Sequence, residues 1–271
     1  MSNTHGTLSL SRATRINTMT SIIWLDETNP ETSFPSPDRA LSEPNGLLAL
    51  GGDLSTARLL NAYQQGIFPW YEVGQPILWW SPDPRAVLFL DEFKLHRSLR
   101  KKIRQTNYQI TFDQNFEAVI NSCAAPRGHT NETWITPEMQ SAYTQLHGLG
   151  YAHSVEVWNK NGQLVGGLYG VALGQIFFGE SMFSRERDTS KIALATLACH
   201  LESWGFPLID CQQDTRHMSM MGARVIKRAD FTSLLKNYCL RPPQIQGWIV
   251  DPSLRIDLWH PKKQSRGRIN A

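Results

Sequence analysis

The chain has 271 residues, 41% of them hydrophobic and 19% charged, enough apolar material for a substantial core and enough charge for a soluble surface. Its 27 basic and 24 acidic residues leave a formal charge of +3, too small an excess to imply a nucleic-acid partner, so any RNA site has to be a local patch. Cysteines at 123, 199, 211 and 239 form no CxxC pair and no zinc-ligand spacing with His, and no apolar run reaches the roughly 18 residues a membrane span needs. A cytoplasmic protein with neither a metal nor a membrane attachment is expected.

Residues 1–21 are rich in Ser and Thr, carry Arg12 and Arg15 and contain no acid, a composition shared by disordered leaders and organelle transit peptides. They are read as a disordered leader. From 22 to 83 the chain is dense in turn formers and aromatics: FPSPD at 34–38, EPNGLLALGGDLS at 43–55, GIFPWY at 66–71 and WWSPDPR at 79–85. Such Pro/Gly punctuation breaks regular structure repeatedly and predicts a small, loop-rich N-terminal domain. Within it, Asp53 or Ser55 can cap a short helix through Tyr63, ended at Gly66.

A second domain is expected over 84–260. KLHRSLRKKIRQ at 94–105 sets Leu95, Leu99 and Ile103 on one helical face, with Arg97, Lys101 and Arg104 opposite. A strand at 108–112 and helices near 113–123 and 137–149 follow. AHSVEVW, QLVGGLYGVAL and QIFFGESMF then alternate as successive antiparallel hairpins do, with Gly162 and Gly174 between the runs. Asp188 or Thr189 can cap a helix over about 190–203, stopped by Gly205 ahead of the strand PLIDCQ at 207–212. The fold class is α+β around a mostly antiparallel sheet, with a basic tail at 261–271.

Strand alternation puts Leu208, Asp210 and Gln212 on one face of PLIDCQ, and Ile176, Phe178 and Glu180 on one face of QIFFGES. An acid emerging from an apolar strand has to find a partner, so both carboxylates invite a reason beyond turn capping or a rim salt bridge. Trp70, Trp79 and Trp80 lie in loops beside Pro, where tryptophan either walls a ligand pocket or buries irregular backbone. The run 97–104 holds Arg97, Arg100, Lys101, Lys102 and Arg104 with no intervening acid, a solvated helix face or a phosphate-binding one.

Taken together, FPSPDRAL, EPNGLLALGGDLS, GIFPWY, PILWWSPDPRAVL, TWIT, GLYGVALGQIFFGESMFS, SKIAL and LIDCQ resemble the leucyl/phenylalanyl-tRNA–protein transferases, from about Phe34 to about Leu240. The resemblance implies a small N-terminal domain followed by a GNAT-like (acetyltransferase-like) catalytic domain. It implies transfer of Leu, Phe or, less well, Met from aminoacyl-tRNA to proteins beginning with Arg or Lys, producing substrates for N-degron proteolysis, without a cofactor. Carried over residue by residue, it implies catalytic roles for Asp210, Gln212 and Glu180. An apolar side-chain pocket falls on Trp70, Trp134, Leu168, Phe177, Met182, Ile192, Leu194 and Ile209, and a tRNA-facing cluster on Arg97, Arg100, Lys101, Lys102 and Arg104. It says nothing about residues 1–21 or about KKQSRGR at 262–268. A monomer is expected.

In this reading the aminoacyl ester is already activated, so the enzyme holds it near an unprotonated amine and needs no covalent intermediate. Asp210, oriented by Gln212, takes the proton and Glu180 holds the acceptor, although the two carboxylates are interchangeable on sequence alone. Two alternatives are a CoA-dependent N-acyltransferase, disfavoured because SRERDTSKIAL offers no glycine turn for a pyrophosphate, and a non-catalytic RNA-binding module.

Overall fold

The computed structural model describes residues 22–29, 33–126, 133–245 and 247–263; the expected leader and most of the basic tail lie outside them. The N-terminal region, punctuated by Pro and Gly, folds into short strands as well as loops. Strands β1 (Ile23–Leu25) and β2 (Leu47–Gly51) pair parallel. After helix α1 (Thr56–Gln64), strands β3 (Phe68–Pro69) and β4 (Leu78–Trp80) complete an antiparallel extension, giving the order β1-β2-β4-β3. Ser55 rather than Asp53 caps α1, its hydroxyl accepting from the Arg58 N–H; the Asp53 carboxylate instead accepts from Arg58 Nε at 3.0 Å.

Strand β5 (Arg85–Phe89), helix α2 (Arg97–Gln105), strand β6 (Gln109–Phe112), helices α3 (Phe116–Ala124) and α4 (Pro137–Gly148) and strands β7 (Ala152–Trp158), β8 (Leu164–Leu173) and β9 (Ile176–Ser184) follow in order. Helix α5 (Thr189–Ser203), strand β10 (Leu208–Gln212), helix α6 (Arg216–Met220), strand β11 (Arg224–Ile226) and helix α7 (Arg228–Tyr238) complete the regular elements. Seven strands form one sheet in the order β11-β5-β10-β9-β8-β7-β6. Every neighbouring pair is antiparallel except β9 with β10. The predicted hairpins at Gly162 and Gly174 are present, and both glycines have the positive φ such turns require.

The sheet separates two apolar cores. One joins Leu208, Phe178 and Tyr169 to α3, α4, α7 and the four-stranded sheet, so the N-terminal layer and the larger sheet share buried side chains. The other packs Ile209, Phe177, Leu168 and Val155 against α5, Leu99 of α2 and an irregular C-terminal strap after α7. Strand alternation sorts these residues to opposite sides, which follows from side chains pointing alternately up and down a strand.

Two local expectations are corrected. Leu95 precedes α2 instead of lying within it, although it is buried with Leu99 as its apolar character demands. Asp188 stands at the α5 N-cap position in a left-handed conformation (φ 67°), but its carboxylate makes no cap bond and pairs with Lys191 at 2.7 Å. The start of α5 is satisfied from β9: the Ser184 hydroxyl accepts from the Ser190 N–H at 2.9 Å.

Candidate active site

Strands β9 and β10 pair only from Leu208/Ile176 to Asp210/Phe178. Beyond that point β9 runs on against β8 alone, and the gap beside its free edge opens into a cavity of about 480 Å³. Trp134, Leu168, Phe177, Met182, Leu194 and Ile209 line this cavity, and so do Glu180 and Asp210. Two residues carried over from the resemblance are not among its lining residues. Trp70 is 40% exposed and packs at 5.6 Å on Trp80. Ile192 faces the other side of α5 and lines a separate small cavity with Ile103, Val250 and Leu254.

Asp210 is completely buried, and both its oxygens are taken by one guanidinium: Arg85 Nε donates to Oδ1 at 2.9 Å and Nη2 to Oδ2 at 2.7 Å. Arg85, itself 1% exposed, also donates to the Gly66 carbonyl at 3.0 Å and lies between the Phe68 and Phe231 rings at 4.8 and 4.7 Å. A bidentate, desolvated pair of this kind fixes both charges, because losing either partner strands the other in an apolar setting. Oδ1 accepts a third bond, from the Gln212 N–H at 2.9 Å. That bond holds Gln212 in a left-handed conformation (φ 61°) at an irregularity in the β10 pairing, uncommon for a residue with a side chain and typical of functional sites.

So held, Gln212 aims its amide at Glu180, donating from Nε2 to Oε1 at 2.9 Å. Tyr63 from α1 donates to the same oxygen at 2.8 Å, and Tyr143 from α4 reaches Oε2 at 3.2 Å. The two phenols also contact each other. Burial pushes the Glu180 carboxyl up to about 7, with the Asp210 charge adding to the effect, while its hydrogen-bond donors oppose it. Proton counting agrees with the direction. The triangle of Tyr63, Tyr143 and Glu180 contains three oxygen–oxygen contacts, but two phenols supply only two protons; a protonated Glu180 supplies the third. Burial and Glu180 also hold both phenols well above their ordinary range.

The basic run is divided by the fold. Arg97, Lys101 and Arg104 are exposed. Arg100 turns inward, donating to the Leu95 carbonyl at 3.2 Å and the Asp257 carbonyl at 3.0 Å, and Lys102 donates to the Arg187 carbonyl. Lys102 meets the loop that leads to Ser190, and His96, just before α2, contacts the Met220 carbonyl of α6 at 2.8 Å; that loop and helix also supply Ser190, His217 and Met218 to the cavity lining.

Sequence reasoning missed Arg85, Tyr63 and Tyr143. The one available signal was compositional, a lone Arg heading the apolar run RAVLFL and a lone Asp in PLID, opposite charges on strands with no other use for them.

Comparison with known proteins adds an independent line. Residues 87–236 match the family model described as leucyl/phenylalanyl-tRNA protein transferase, and residues 52–83 match that of its N-terminal domain. The leucyl/phenylalanyl-tRNA–protein transferase of Azotobacter vinelandii is 58% identical over 218 residues, 80% of this chain and 96% of the relative. That of Pseudomonas syringae is 57% identical over 221 residues, 82% of this chain and 95% of the relative. Among solved structures, L-PGS from Bacillus licheniformis aligns over 58% of this chain and 51% of its own at 10% identity and a TM-score of 0.36, too slight a likeness to carry an argument.

Proposed function

The chain belongs to the leucyl/phenylalanyl-tRNA–protein transferase family, and we propose on that basis that Glu180 takes the proton of an acceptor amine as it attacks an aminoacyl-tRNA ester. The enzyme is an aminoacyltransferase moving an amino acid from tRNA to protein. The acyl groups are Leu, Phe and, less well, Met, and the acceptors are N-terminal α-amines of proteins beginning with Arg or Lys, which the reaction commits to N-degron proteolysis. A tRNA substrate calls for a cytoplasmic setting, and the chain acts as a monomer. Among the described residues no helix is long and apolar enough to cross a membrane.

The observation that carries the assignment is a half-buried carboxyl near pKa 7 on the wall of an apolar cavity. An α-ammonium has a pKa near 8, so passing its proton to such a group costs about 1.4 kcal/mol, whereas passing it to a carboxylate at an ordinary value near 4 costs about 5.5 kcal/mol. Asp210 is not placed to take a proton, since both its oxygens already serve Arg85. Of the two roles read from the sequence, proton acceptance therefore goes to Glu180, while Asp210 acts through Gln212. The neutral amine nitrogen attacks the ester carbonyl and loses a proton to Glu180, the acyl–oxygen bond breaks, and Glu180 returns that proton to the leaving ribose oxygen.

Met182, Leu168, Phe177, Leu194, Ile209 and Trp134 form an apolar wall suited to an unbranched-at-Cβ side chain, and the adaptable Met182 keeps selection among Leu, Phe and Met loose. A predominantly antiparallel sheet with helices on both faces and a ligand-sized gap at its one parallel pair supports the acetyltransferase-like reading of the fold. The test is transfer of radiolabel from leucyl-tRNA to an Arg-initiated protein, beside the same protein beginning with Ala. Label on the Arg protein only, abolished in Glu180→Gln, supports the assignment. Full activity in Glu180→Gln overturns the choice of base, and label on neither acceptor overturns the reaction itself.

A further inference from the structure

Helix α5 divides its side chains between two cavities. Leu194 and Leu197 turn toward the candidate active site, while Ile192, Thr196 and His200 turn the other way, under the C-terminal strap. The strap is held at both ends: Trp248 stacks on His153 with ring centroids 3.7 Å apart, and Trp259 Nε1 donates to Glu202 at 2.8 Å. Between them, among the described residues, one hydrogen bond ties 249–256 to a helix or strand, the Asp251 N–H donating to His200 Nε2 at 2.9 Å. Apolar contact beneath this stretch is incomplete, because Val250, Leu254 and Ile256 roof a cavity of about 100 Å³ over Ile103 and Ile192. A void withholds the dispersion contacts that would otherwise hold the segment, so more of its attachment falls to the polar anchor.

That anchor depends on one tautomer. His200 is fully buried, and its Nδ1 lies 2.7 Å from the Thr196 carbonyl, so the ring proton sits on Nδ1 and Nε2 keeps the lone pair that accepts from Asp251. A second proton has one place to go, Nε2, where it would set two donors against each other. Burial holds His200 below the ordinary imidazole range, with the Thr196 carbonyl and the Asp251 carboxylate acting the other way. The anchor is therefore complete above the ordinary imidazole value and lost as pH falls through the lowered one. The other ionisable groups nearby are engaged or neutral. Tyr108, ahead of β6, turns its hydroxyl to Glu186, Glu202 accepts from Trp259 and the Lys262 N–H, and burial pushes the Cys199 thiol up to about 12. From β6 the ring meets the edge of Phe112, and from α2 the cavity receives Ile103. His153 responds oppositely to acid: its nitrogens face the Asp113 carboxylate at 2.7 Å and the Gly150 carbonyl at 3.2 Å, two acceptors that a doubly protonated ring satisfies.

We propose that His200 is an acid-sensitive latch, whose protonation at Nε2 frees residues 249–256 of the strap from α5 while the Trp248 and Trp259 ends stay attached. Release removes outer support from the helix that supplies Leu194 and Leu197 to the candidate active site, and it opens the smaller cavity to solvent. The latch does not depend on which reaction that site performs.

The experiment follows backbone amide exchange in the full chain at about pH 8 and about pH 5, corrected for the intrinsic pH dependence of exchange, with buried strand β8 as the reference for global opening. Protection at Asp251 relative to β8 is expected to fall about tenfold or more in acid, since a freed imidazole titrates near roughly 6.5. In His200→Gln the side-chain carbonyl supplies an acceptor that does not titrate, and protection across 249–256 should be equal at both pH values. Nitrogen NMR of the His200 ring in the unaltered protein needs no variant and should place the proton on Nδ1 at the higher pH. A ring protonated on Nε2 there, acid-insensitive protection at Asp251, or the same acid loss in folded His200→Gln overturns the proposal.

Discussion

Replacing Glu180 by Gln should abolish transfer and at the same time make the folded protein less sensitive to alkaline pH. The Glu180 carboxyl sits near 7 in the folded chain against 4.5 for the free side chain. The folded state therefore retains a proton that the unfolded state has released between those values, and stability falls as pH rises through that window. At pH 8 the penalty reaches about 3 kcal/mol and at pH 5 it is below about 1, a difference of about 2 kcal/mol. Glutamine does not titrate. Its carbonyl at the Oε1 position accepts from Tyr63 and Gln212, while its amide nitrogen at the Oε2 position donates to Tyr143, so each of these hydrogen bonds survives. Thermal unfolding of both proteins at pH 5 and pH 8 is the assay. Glu180→Gln should gain about 4–8 °C on the parent between the two conditions. An offset that is the same at both pH values, or that shrinks at pH 8, refutes the assignment of a raised carboxyl to this position.

Tyr63→Phe removes a donor to the ionised carboxylate, so the acidic limb of kcat/KM against pH, set by Glu180 near 7, should move to higher pH; a limb that moves down or stays put contradicts the network. Arg85→Met strands the Asp210 charge in a buried site and should cost about 3–5 kcal/mol of stability by urea denaturation, a loss that surface ion pairs such as Arg224–Glu92 should not match. Met182→Ala enlarges the apolar wall and should shift the ratio of kcat/KM for phenylalanyl- over leucyl-tRNA by about tenfold or more toward the larger side chain, with no shift counting against its place in the pocket. Gly170→Ala sets a Cβ 2.2 Å from the Phe178 carbonyl oxygen across the β8–β9 pair, and soluble yield should fall sharply unless β9 moves.

Local chemistry made much of the fold legible. The β7–β9 hairpins follow from alternation and two glycines, and α1 and α4 from Ser55 and Thr136 standing where a first turn needs an acceptor. Alternation put Asp210 and Gln212 on one face of their strand and Glu180 with Phe178 on one face of its own, without showing that the two strands are neighbours. What sequence cannot carry is partnership at a distance: Arg85 meets Asp210 across 125 positions and Tyr63 meets Glu180 across 117. The two carried-over residues that do not line the cavity are turned away from it for different reasons. Helix α5 is buried almost all round, so no periodicity tells which side of it Ile192 faces, while Trp70 is placed by the short β3–β4 pairing, which sets it against Trp80 instead of the cavity. The strap after α7 has no period at all, and only its tryptophans, each stacked or hydrogen-bonded, mark it as more than linker.

In the proposed mechanism two carboxylates on one cavity take opposite duties because their surroundings differ. Asp210 meets a guanidinium in bidentate register, which favours the charge and leaves neither oxygen for a substrate. Glu180 meets two phenols and an amide but no cation, in a site where burial penalises the charge and the neighbouring Asp210 penalises it again. The second environment depends on the first: Asp210 raises Glu180 by its field, and through the Gln212 N–H fixes the left-handed turn that aims Gln212 at Glu180. Removing Asp210 would therefore impair the reaction without Asp210 ever touching the proton. Loss of activity in an Asp210 variant alone cannot identify the base; the pH dependence of what remains can, because only the group that accepts the proton imposes its own titration on the rate.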